Sequence, residues 1–199
     1  MGRNSGHIAL AYLKHWLLKE DRYSQQSPFI FSVYQGALDL IKKENPSSKA
    51  EKVALLLAYF CQITPANQVL EFGIGNERIT ELLNQVIHGE FFKIPEPESL
   101  VQEIGSHLQQ IQKHQSFDFI LIHSQHSQAF LHEALTLCLP RIQAQGIVVL
   151  EGIHHSQGMN ACWKKIQADN RIQLTLDFFD FGVAFLSYSG PKTNLNLSY

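Results

Sequence analysis

The sequence predicts an α/β protein with a Rossmann-like, doubly wound and mainly parallel sheet, preceded by N-terminal helices. Three observations lead to this fold class. From residue 68 onward, short and nearly continuous apolar runs alternate with helical stripes, which is typical of a parallel sheet covered on both faces. The first third of the chain shows helical periodicity only. The last two apolar runs, at 172–178 and 182–188, are close enough to form an antiparallel hairpin.

Residues 1–64 are expected to form a helical segment that packs on the core. Leucines at positions 10, 13 and 17 predict a first helix, because they recur at helical spacing. Ser27-Pro28 is a typical helix start and predicts the second helix. Ser48 and Glu51 have the spacing of a capping box at the start of the third.

Residues 65–199 are expected to form the Rossmann-like domain. Its strands are predicted at 68–72, 90–94, 117–123, 146–151, 172–178 and 182–188. Helical stripes lie between them, with apolar residues beginning at Ile79, Leu100, Phe130 and Met159. These helices would cover both faces of the sheet.

The composition excludes several classes of protein. Of the 199 residues, 45% are hydrophobic and 17% are charged, which is unlike a disordered chain. A formal net charge of −2 favours neither nucleic acid nor an anionic membrane as a partner. Three cysteines without CxxC spacing favour buried thiols in a reducing compartment. No signal peptide or bilayer-spanning run is evident, so we expect a cytoplasmic protein.

The first candidate site follows the first predicted strand, where ligands of such sheets bind. Gly73 and Gly75 would allow a ligand to approach the backbone closely. Glu71 stands immediately before them, and a carboxylate there is unsuited to phosphate but suited to a cationic ligand. Tight-turn geometry alone explains the glycines equally well.

The second candidate site is a cluster of histidines. Seven of the ten histidines lie between positions 107 and 155, and His123, His126, His154 and His155 follow predicted strand ends beside Glu151. Such groups can hold a zinc-like ion or perform acid–base catalysis. Because no HxH or HExxH spacing is present, we expect a polar, partly solvated cleft without a metal. His123 and His154 are the candidate catalytic residues.

These motifs resemble those of class I S-adenosylmethionine-dependent methyltransferases. Residues 68–75 (QVLEFGIG) are similar to the first motif of that family. Residues 151–167 and 172–189 resemble the C-terminal part of an O-methyltransferase-like group familiar from Bacteroidetes, and residues 12–31 resemble the leading segment of that group. The resemblance covers nearly the whole chain, and its C-terminal part is the most specific.

The resemblance implies methyl transfer from the sulfonium of S-adenosylmethionine to a nucleophile. It also implies that Glu71, Gly73 and Gly75 border the methionine part of this cofactor. Glu96 would hold the ribose hydroxyls, unless a shifted register places Ile94 there instead. His123 would end the strand that usually carries an acid on the adenine or metal side, and Glu151 would match the first acid of a pair.

Several site positions depart from the family pattern, whereas the scaffold positions fit it. Glu77 stands where the family has a third small residue, His123 replaces an acid, and Gly152 removes the second carboxylate of the pair. The interval between Ile111 and Phe117 is short, so the sheet is expected to have one edge strand fewer than the family.

Two functions follow from this degenerate site. One is an active methyltransferase that acts on an unidentified small molecule. The other is a catalytically inactive methyltransferase-fold protein that serves as a binding or assembly partner. A metal-dependent enzyme built on the histidines is a third and weaker alternative. The expected partner is a small-molecule substrate or a protein, and a homodimer is among the oligomeric states that stay open.

Overall fold

The computed structural model describes residues 2–19, 27–64, 66–73, 75–94, 116–123 and 128–199. Its chain begins with three helices: α1 (Gly2–Leu18), α2 (Pro28–Glu44) and α3 (Lys49–Ile63). The hydroxyl of Ser27 accepts a hydrogen bond from the Ile30 N–H at the start of α2, and that of Ser48 accepts from the Glu51 N–H at the start of α3. Both helices therefore begin where the sequence predicts, because serine satisfies N–H groups that have no partner within the helix.

A seven-stranded mixed sheet forms the centre of the described structure. Its strands are β1 (Gln68–Phe72), β2 (Glu90–Ile94), β3 (Phe117–Ile122), β4 (Ile142–Glu151), β5 (Leu174–Asp177), β6 (Phe181–Phe185) and β7 (Thr193–Asn196). Their order is β2-β1-β3-β4-β6-β5-β7. All neighbours are parallel except β6, which runs antiparallel to β4 and β5. The predicted fold class and the antiparallel hairpin are confirmed.

The helices between the strands cover both faces of this sheet. They are α4 (Glu77–Val86), α5 (Gln128–Cys138) and α6 (Gln157–Ala168). Val69 of β1 and Phe119 of β3 belong to an apolar cluster with α2, α3 and α4, whereas Leu70 and Ile120 belong to a second cluster with α5 and α6. Burying each such side chain contributes about 1.5–3 kcal/mol. Because both faces are covered, the strands read as continuous apolar runs.

The structure departs from the predicted elements mainly at β4 and β7, and β5 and β6 are shorter than the predicted strands at 172–178 and 182–188. β4 begins at Ile142, four residues before the predicted start at 146, and its polar first half is exposed. β7 is not predicted by the sequence, because it is short and only Leu195 within it is buried. The predicted helical stripe at 100–111 and most of the interval 111–117 lie outside the described residues. The missing edge strand and the domain boundary near residue 64 stay predictions.

The three cysteines, Cys61, Cys138 and Cys162, are buried free thiols. Burial raises the pKa of the Cys61 thiol to about 12, which keeps it protonated and unreactive at neutral pH. In the described ranges, none of the helices is long and apolar enough to cross a bilayer.

The packing of β6 against α6 gives a stability prediction. A Cβ atom at Gly182 would lie 2.5 Å from the ring of Trp163, and this ring is among the most deeply buried side chains. We therefore expect Gly182→Ala to lower the free energy of unfolding by about 1–3 kcal/mol, measured by urea denaturation.

The matched control is Ser189→Ala, at an exposed position near the end of the same hairpin. It should change the free energy of unfolding by less than about 0.5 kcal/mol. Equal unfolding midpoints for Gly182→Ala and the parent chain would contradict the tight contact between Gly182 and Trp163.

Candidate functional site

Three titratable residues meet where the central parallel strands end. Glu71 is the fourth residue of β1, His123 follows β3 directly, and Glu151 is the last residue of β4. β3 lies between β1 and β4 in the sheet. Because the three strands are parallel neighbours, their carboxyl ends share one edge, and His123 is placed between the two carboxylates.

His123 bridges Glu71 and Glu151 through both nitrogens of its ring. Nδ1 lies 2.7 Å from Oε2 of Glu151, and Nε2 lies 2.7 Å from Oε1 of Glu71. Carboxylate oxygens accept hydrogen bonds, so both ring nitrogens act as donors only when the imidazole carries two protons. His123 is 1% exposed and Glu71 is fully buried. The arrangement is a buried imidazolium held between two carboxylates.

Two further residues complete the surroundings of Glu71. The hydroxyl of Thr80 donates to Oε1 of Glu71 over 3.2 Å, and Nζ of Lys93 lies 3.4 Å from both carboxylate oxygens. Lys93 lies directly opposite Glu71 in the parallel register of β1 and β2. The Glu71 carboxylate is therefore satisfied by His123, Thr80 and Lys93, as a buried charge must be.

The charges of this cluster shift its pKa values in opposite directions. Burial by itself lowers the pKa of His123. The hydrogen bonds to Glu151 and Glu71, together with the negative charges of these two residues, have a larger effect than burial, so the net pKa is raised. Burial by itself raises the pKa of Glu71. The hydrogen bond and charge of His123 and the charge of Lys93 have a larger effect than burial, so the net pKa is lowered. Both shifts favour the ionised pair.

The two glycines after β1 have different local roles. Gly73 adopts a left-handed conformation with φ of 87°, which glycine adopts without strain, and its N–H donates to the carbonyl of Ile94 at the end of β2. A Cβ at Gly75 would lie 2.2 Å from Cε1 of His123. Gly75 is therefore required by the imidazole ring that lies against it.

Glu77, which departs from the family pattern, lies in the first turn of α4. A carboxylate there interacts favourably with the helix dipole. The side chain of Asn76 caps the same helix by accepting from the Arg78 N–H over 2.9 Å. Both residues thus stabilise the start of α4, and Glu77 itself is exposed.

His154 lies in a second buried cluster, centred on Asp177 at the end of β5. Nε2 of His154 donates to Oδ2 of Asp177 over 2.8 Å, and the indole N–H of Trp163 donates to the same oxygen over 3.1 Å. The side-chain amide of Asn160 donates to Nδ1 of His154. On the other side of Asp177, Nε2 of His15 in α1 lies 3.2 Å from Oδ1.

The pKa shifts in this second cluster also favour an ionised pair, formed by Asp177 and His15. Burial raises the pKa of Asp177, but hydrogen bonds from His15 and His154 outweigh it and lower the pKa to about 2. Burial lowers the pKa of His15, but its contacts with Asp177 raise the net pKa. Asp177 thus anchors α1 to the carboxyl edge of the sheet through His15.

His155 belongs to a third cluster around Asp180. Nε2 of His155 lies 3.9 Å from Oδ1 of Asp180, the ammonium of Lys49 lies 2.7 Å from the same oxygen, and the Tyr199 hydroxyl donates to Oδ2. The predicted cleft residues therefore divide among three clusters. Across the described ranges, no group of histidine, cysteine and acidic residues is arranged to hold a metal ion.

Sequence reasoning placed some of these residues correctly and missed others. It expected Glu71, His123 and Glu151 at strand ends, and the structure brings these three together. His126 and Glu96 lie outside the described residues, so their predicted roles stay predictions. Lys93 and Asp177 were not predicted. The signal that could have found them is a charged residue near the carboxyl end of a short strand, Lys93 in β2 and Asp177 in β5.

Neither a protein-family model nor a curated protein sequence matches this chain. Solved structures do match it. A candidate O-methyltransferase from Klebsiella pneumoniae is 14% identical, with a TM-score of 0.52 over 83% of this chain and 92% of that one. A candidate caffeoyl-CoA O-methyltransferase from Staphylococcus aureus is 11% identical, with a TM-score of 0.52 over 76% and 98%.

A third similar structure is cofactor-bound Rv0187 from MTB, which is 10% identical with a TM-score of 0.53 over 89% of this chain and 95% of that one. At such low identity a structural likeness defines the fold and leaves the activity open. The chain therefore has the fold of class I methyltransferases.

The bridging position of His123 predicts a specific pH dependence of stability. Because its pKa is raised in the folded protein, its ionic contribution is fully present below the unfolded value of 6.5 and is lost as pH rises through the folded pKa. We expect His123→Gln to lower the free energy of unfolding by about 3 kcal/mol near pH 6, since it leaves the buried carboxylate of Glu71 and the partly buried one of Glu151 without the cation between them. The difference should shrink toward pH 9, measured by urea denaturation.

The control is His88→Gln, which changes an exposed histidine in the same way. Its unfolding free energy should follow that of the parent chain at every pH. A His123→Gln deficit that stays constant between pH 6 and pH 9 would show that the bridge is not ionic.

Proposed function

We propose that this chain is a methyltransferase-fold protein that has lost methyl transfer and acts by binding a partner. One observation carries the proposal. The imidazolium of His123 lies between Glu71 and Glu151 at the carboxyl edge of the sheet, where the fold binds its ligands. The charged groups at this edge are thus engaged with one another.

S-adenosylmethionine is the cofactor that the fold implies, and the described residues do not fit it. Its amine and sulfonium are cationic and require an accessible acceptor and close approach to the glycine turn. The Glu71 carboxylate is fully buried and already has three partners. The space behind Gly75 is filled by the ring of His123. An incoming cation would have to displace His123 or Lys93 from Glu71.

The two candidate catalytic histidines are equally engaged. A general base must reach the proton that it removes. His123 is 1% exposed and both of its ring nitrogens contact carboxylates. His154 donates from Nε2 to Asp177 and accepts at Nδ1 from Asn160. Neither imidazole has a ring nitrogen left for a substrate.

Methyl transfer to a small-molecule acceptor is the second candidate function. It is favoured by the turn after β1, where Gly73 keeps a left-handed conformation and Asn76 caps the following helix. This turn would present backbone N–H groups to a cofactor if His123 and Glu71 separated. Cofactor affinity distinguishes the two candidates.

We expect the chain to bind S-adenosylmethionine and S-adenosylhomocysteine with dissociation constants weaker than about 100 µM, measured by titration calorimetry. Loss of one charge-assisted hydrogen bond costs about 1.5–3 kcal/mol, which is roughly ten- to hundredfold in affinity. His123→Ala removes the ring behind Gly75 and frees both carboxylates, so it should bind at least about tenfold more tightly.

Glu77→Gly is the matched comparison, because it restores the small residue of the family pattern and leaves the bridge intact. It should bind as weakly as the parent chain. Thermal melting monitored by circular dichroism confirms that each variant is folded. Micromolar or tighter binding by the parent chain would refute the proposal and favour an active methyltransferase.

A further inference from the structure

A cavity lies between α1 and the start of α3, apart from the His123 bridge. Its volume is about 570 Å³, which is within the range of small-molecule sites. The turn between β5 and β6 and the residues after β7 complete its lining. We call it the α1–α3 cavity, and the residues from the two helices that matter for binding are Tyr12, His15, Trp16, Lys19, Lys49 and Lys52.

Phe179, in the turn between β5 and β6, also lines the cavity. Its φ of 70° lies in the left-handed region, which bulky residues rarely adopt. Its N–H donates to Oδ1 of Asp177 over 2.9 Å, and this hydrogen bond stabilises the turn. The ring of Phe179 contacts the rings of Tyr12 and His15 at centroid distances of 5.0 and 5.6 Å. Contacts within the protein thus fix the aromatic part of the lining.

The charge of the lining is positive. Asp180 is the only acidic side chain among the described residues that line the cavity. Its carboxylate is already engaged, because Nζ of Lys49 lies 2.7 Å from Oδ1 and the Tyr199 hydroxyl donates to Oδ2. Within the described part of the chain, Lys19 and Lys52 have no acidic partner. Their two ammonium groups are therefore left to attract an anion.

His15 adds a buried hydrogen-bond donor to this lining. Its Nε2 lies 2.9 Å from the carbonyl oxygen of Asp177 and 3.2 Å from Oδ1. Among the residues that the structure describes, its Nδ1 has no hydrogen-bond partner, although His15 is only 7% exposed. Burial lowers the pKa of His15, but the contacts with Asp177 raise the net pKa, which favours a proton on Nδ1 as well. Buried donors are rarely left without an acceptor, so a ligand is expected to supply one.

The aromatic rings of the cavity already contact cations of the protein itself. Nζ of Lys19 lies 5.6 Å from the centre of the Trp16 ring, and Nζ of Lys49 lies 5.9 Å from the centre of the Phe179 ring. Both distances are in the range of cation–π contacts. A cage for a quaternary ammonium ligand needs such ring faces to be free. The lining therefore favours an anion over a cation.

We propose that the α1–α3 cavity binds a small oxyanion that carries an aromatic ring, with Lys19 and Lys52 as the cations that hold it. Tyr12 and Trp16 are more than half exposed, and their rings are suited to contact the ring of the ligand. Ser48, which caps α3, also lines the cavity, and the free N–H groups at the start of a helix favour an oxyanion.

This inference does not depend on the proposed loss of methyl transfer. The cavity lies beside the turn after β5, whereas the His123 bridge joins the ends of β1, β3 and β4. A carboxylate and a phosphate monoester satisfy the same cations and donors. The two kinds of ligand are distinguished by probes that share one ring and differ only in the anionic group.

Titration calorimetry of the full chain with 1-naphthyl phosphate and 1-naphthoate tests the inference. We expect a dissociation constant of about 100 µM or tighter for at least one of them, and the tighter one identifies the anionic group. The neutral 1-naphthol and inorganic phosphate should each bind at least about tenfold more weakly, because each lacks one half of the ligand. None of these probes contains adenosine, so the result is separate from cofactor binding.

The double variant Lys19→Gln/Lys52→Gln should weaken binding of the naphthyl anion at least about tenfold, since it removes both unpaired cations. Lys42→Gln/Lys43→Gln is the matched control, because it removes the same charge from two exposed lysines of α2. It should bind like the parent chain. Thermal melting monitored by circular dichroism confirms that both variants are folded.

Four results would overturn the inference. One is a lack of binding of both naphthyl anions at about 1 mM, and another is binding that Lys19→Gln/Lys52→Gln leaves unchanged. Equal affinity for 1-naphthol or for inorganic phosphate would show a purely apolar or a purely anionic site. Binding of tetramethylammonium in place of the anions would show that the rings form a cation cage.

Discussion

Glu71 and Glu151 lie at or near the carboxyl ends of two buried strands, on either side of His123. The carboxyl edge of the sheet depends on the positive charge of His123 between them. Two carboxylates so close would raise each other's pKa and resist ionisation without a counter-charge. His123 supplies that charge at 2.7 Å from each of them. Such a pair is costly to break, since removal of one partner leaves a buried charge unpaired. The bridge thus fixes the ends of β1, β3 and β4 relative to one another.

The same bridge occupies the site positions at which the sequence departs from the methyltransferase pattern that it resembles. The left-handed turn at Gly73 and the cap of α4 preserve the local backbone. The ring of His123 lies against Gly75 and occupies space that the turn would otherwise leave open. An internal imidazolium thus takes the electrostatic place of a cationic ligand. This internal satisfaction of the charged site supports the proposed loss of methyl transfer.

The sequence predicted the fold well because strands buried on both faces leave a strong hydrophobic signal. It missed β7, in which Leu195 alone is buried, and the exposed first half of β4, because such segments carry little of that signal. It placed Glu71, His123 and Glu151 at strand ends but could not order the strands. Without that order, the contact of Lys93 with Glu71 and the role of Asp177 were not predictable, since both depend on register and long-range packing.

The protonation state of His123 is the most direct test of this account, and nitrogen NMR of the chain labelled with ¹⁵N-histidine measures it. With both ring nitrogens 2.7 Å from carboxylate oxygens, both should carry protons between about pH 5 and 7. The assignment follows from the signal that disappears in His123→Gln. An imidazolium pattern for that signal throughout this range is the predicted result. A signal with one unprotonated nitrogen below pH 6.5, the reference value for histidine, would contradict the bridge.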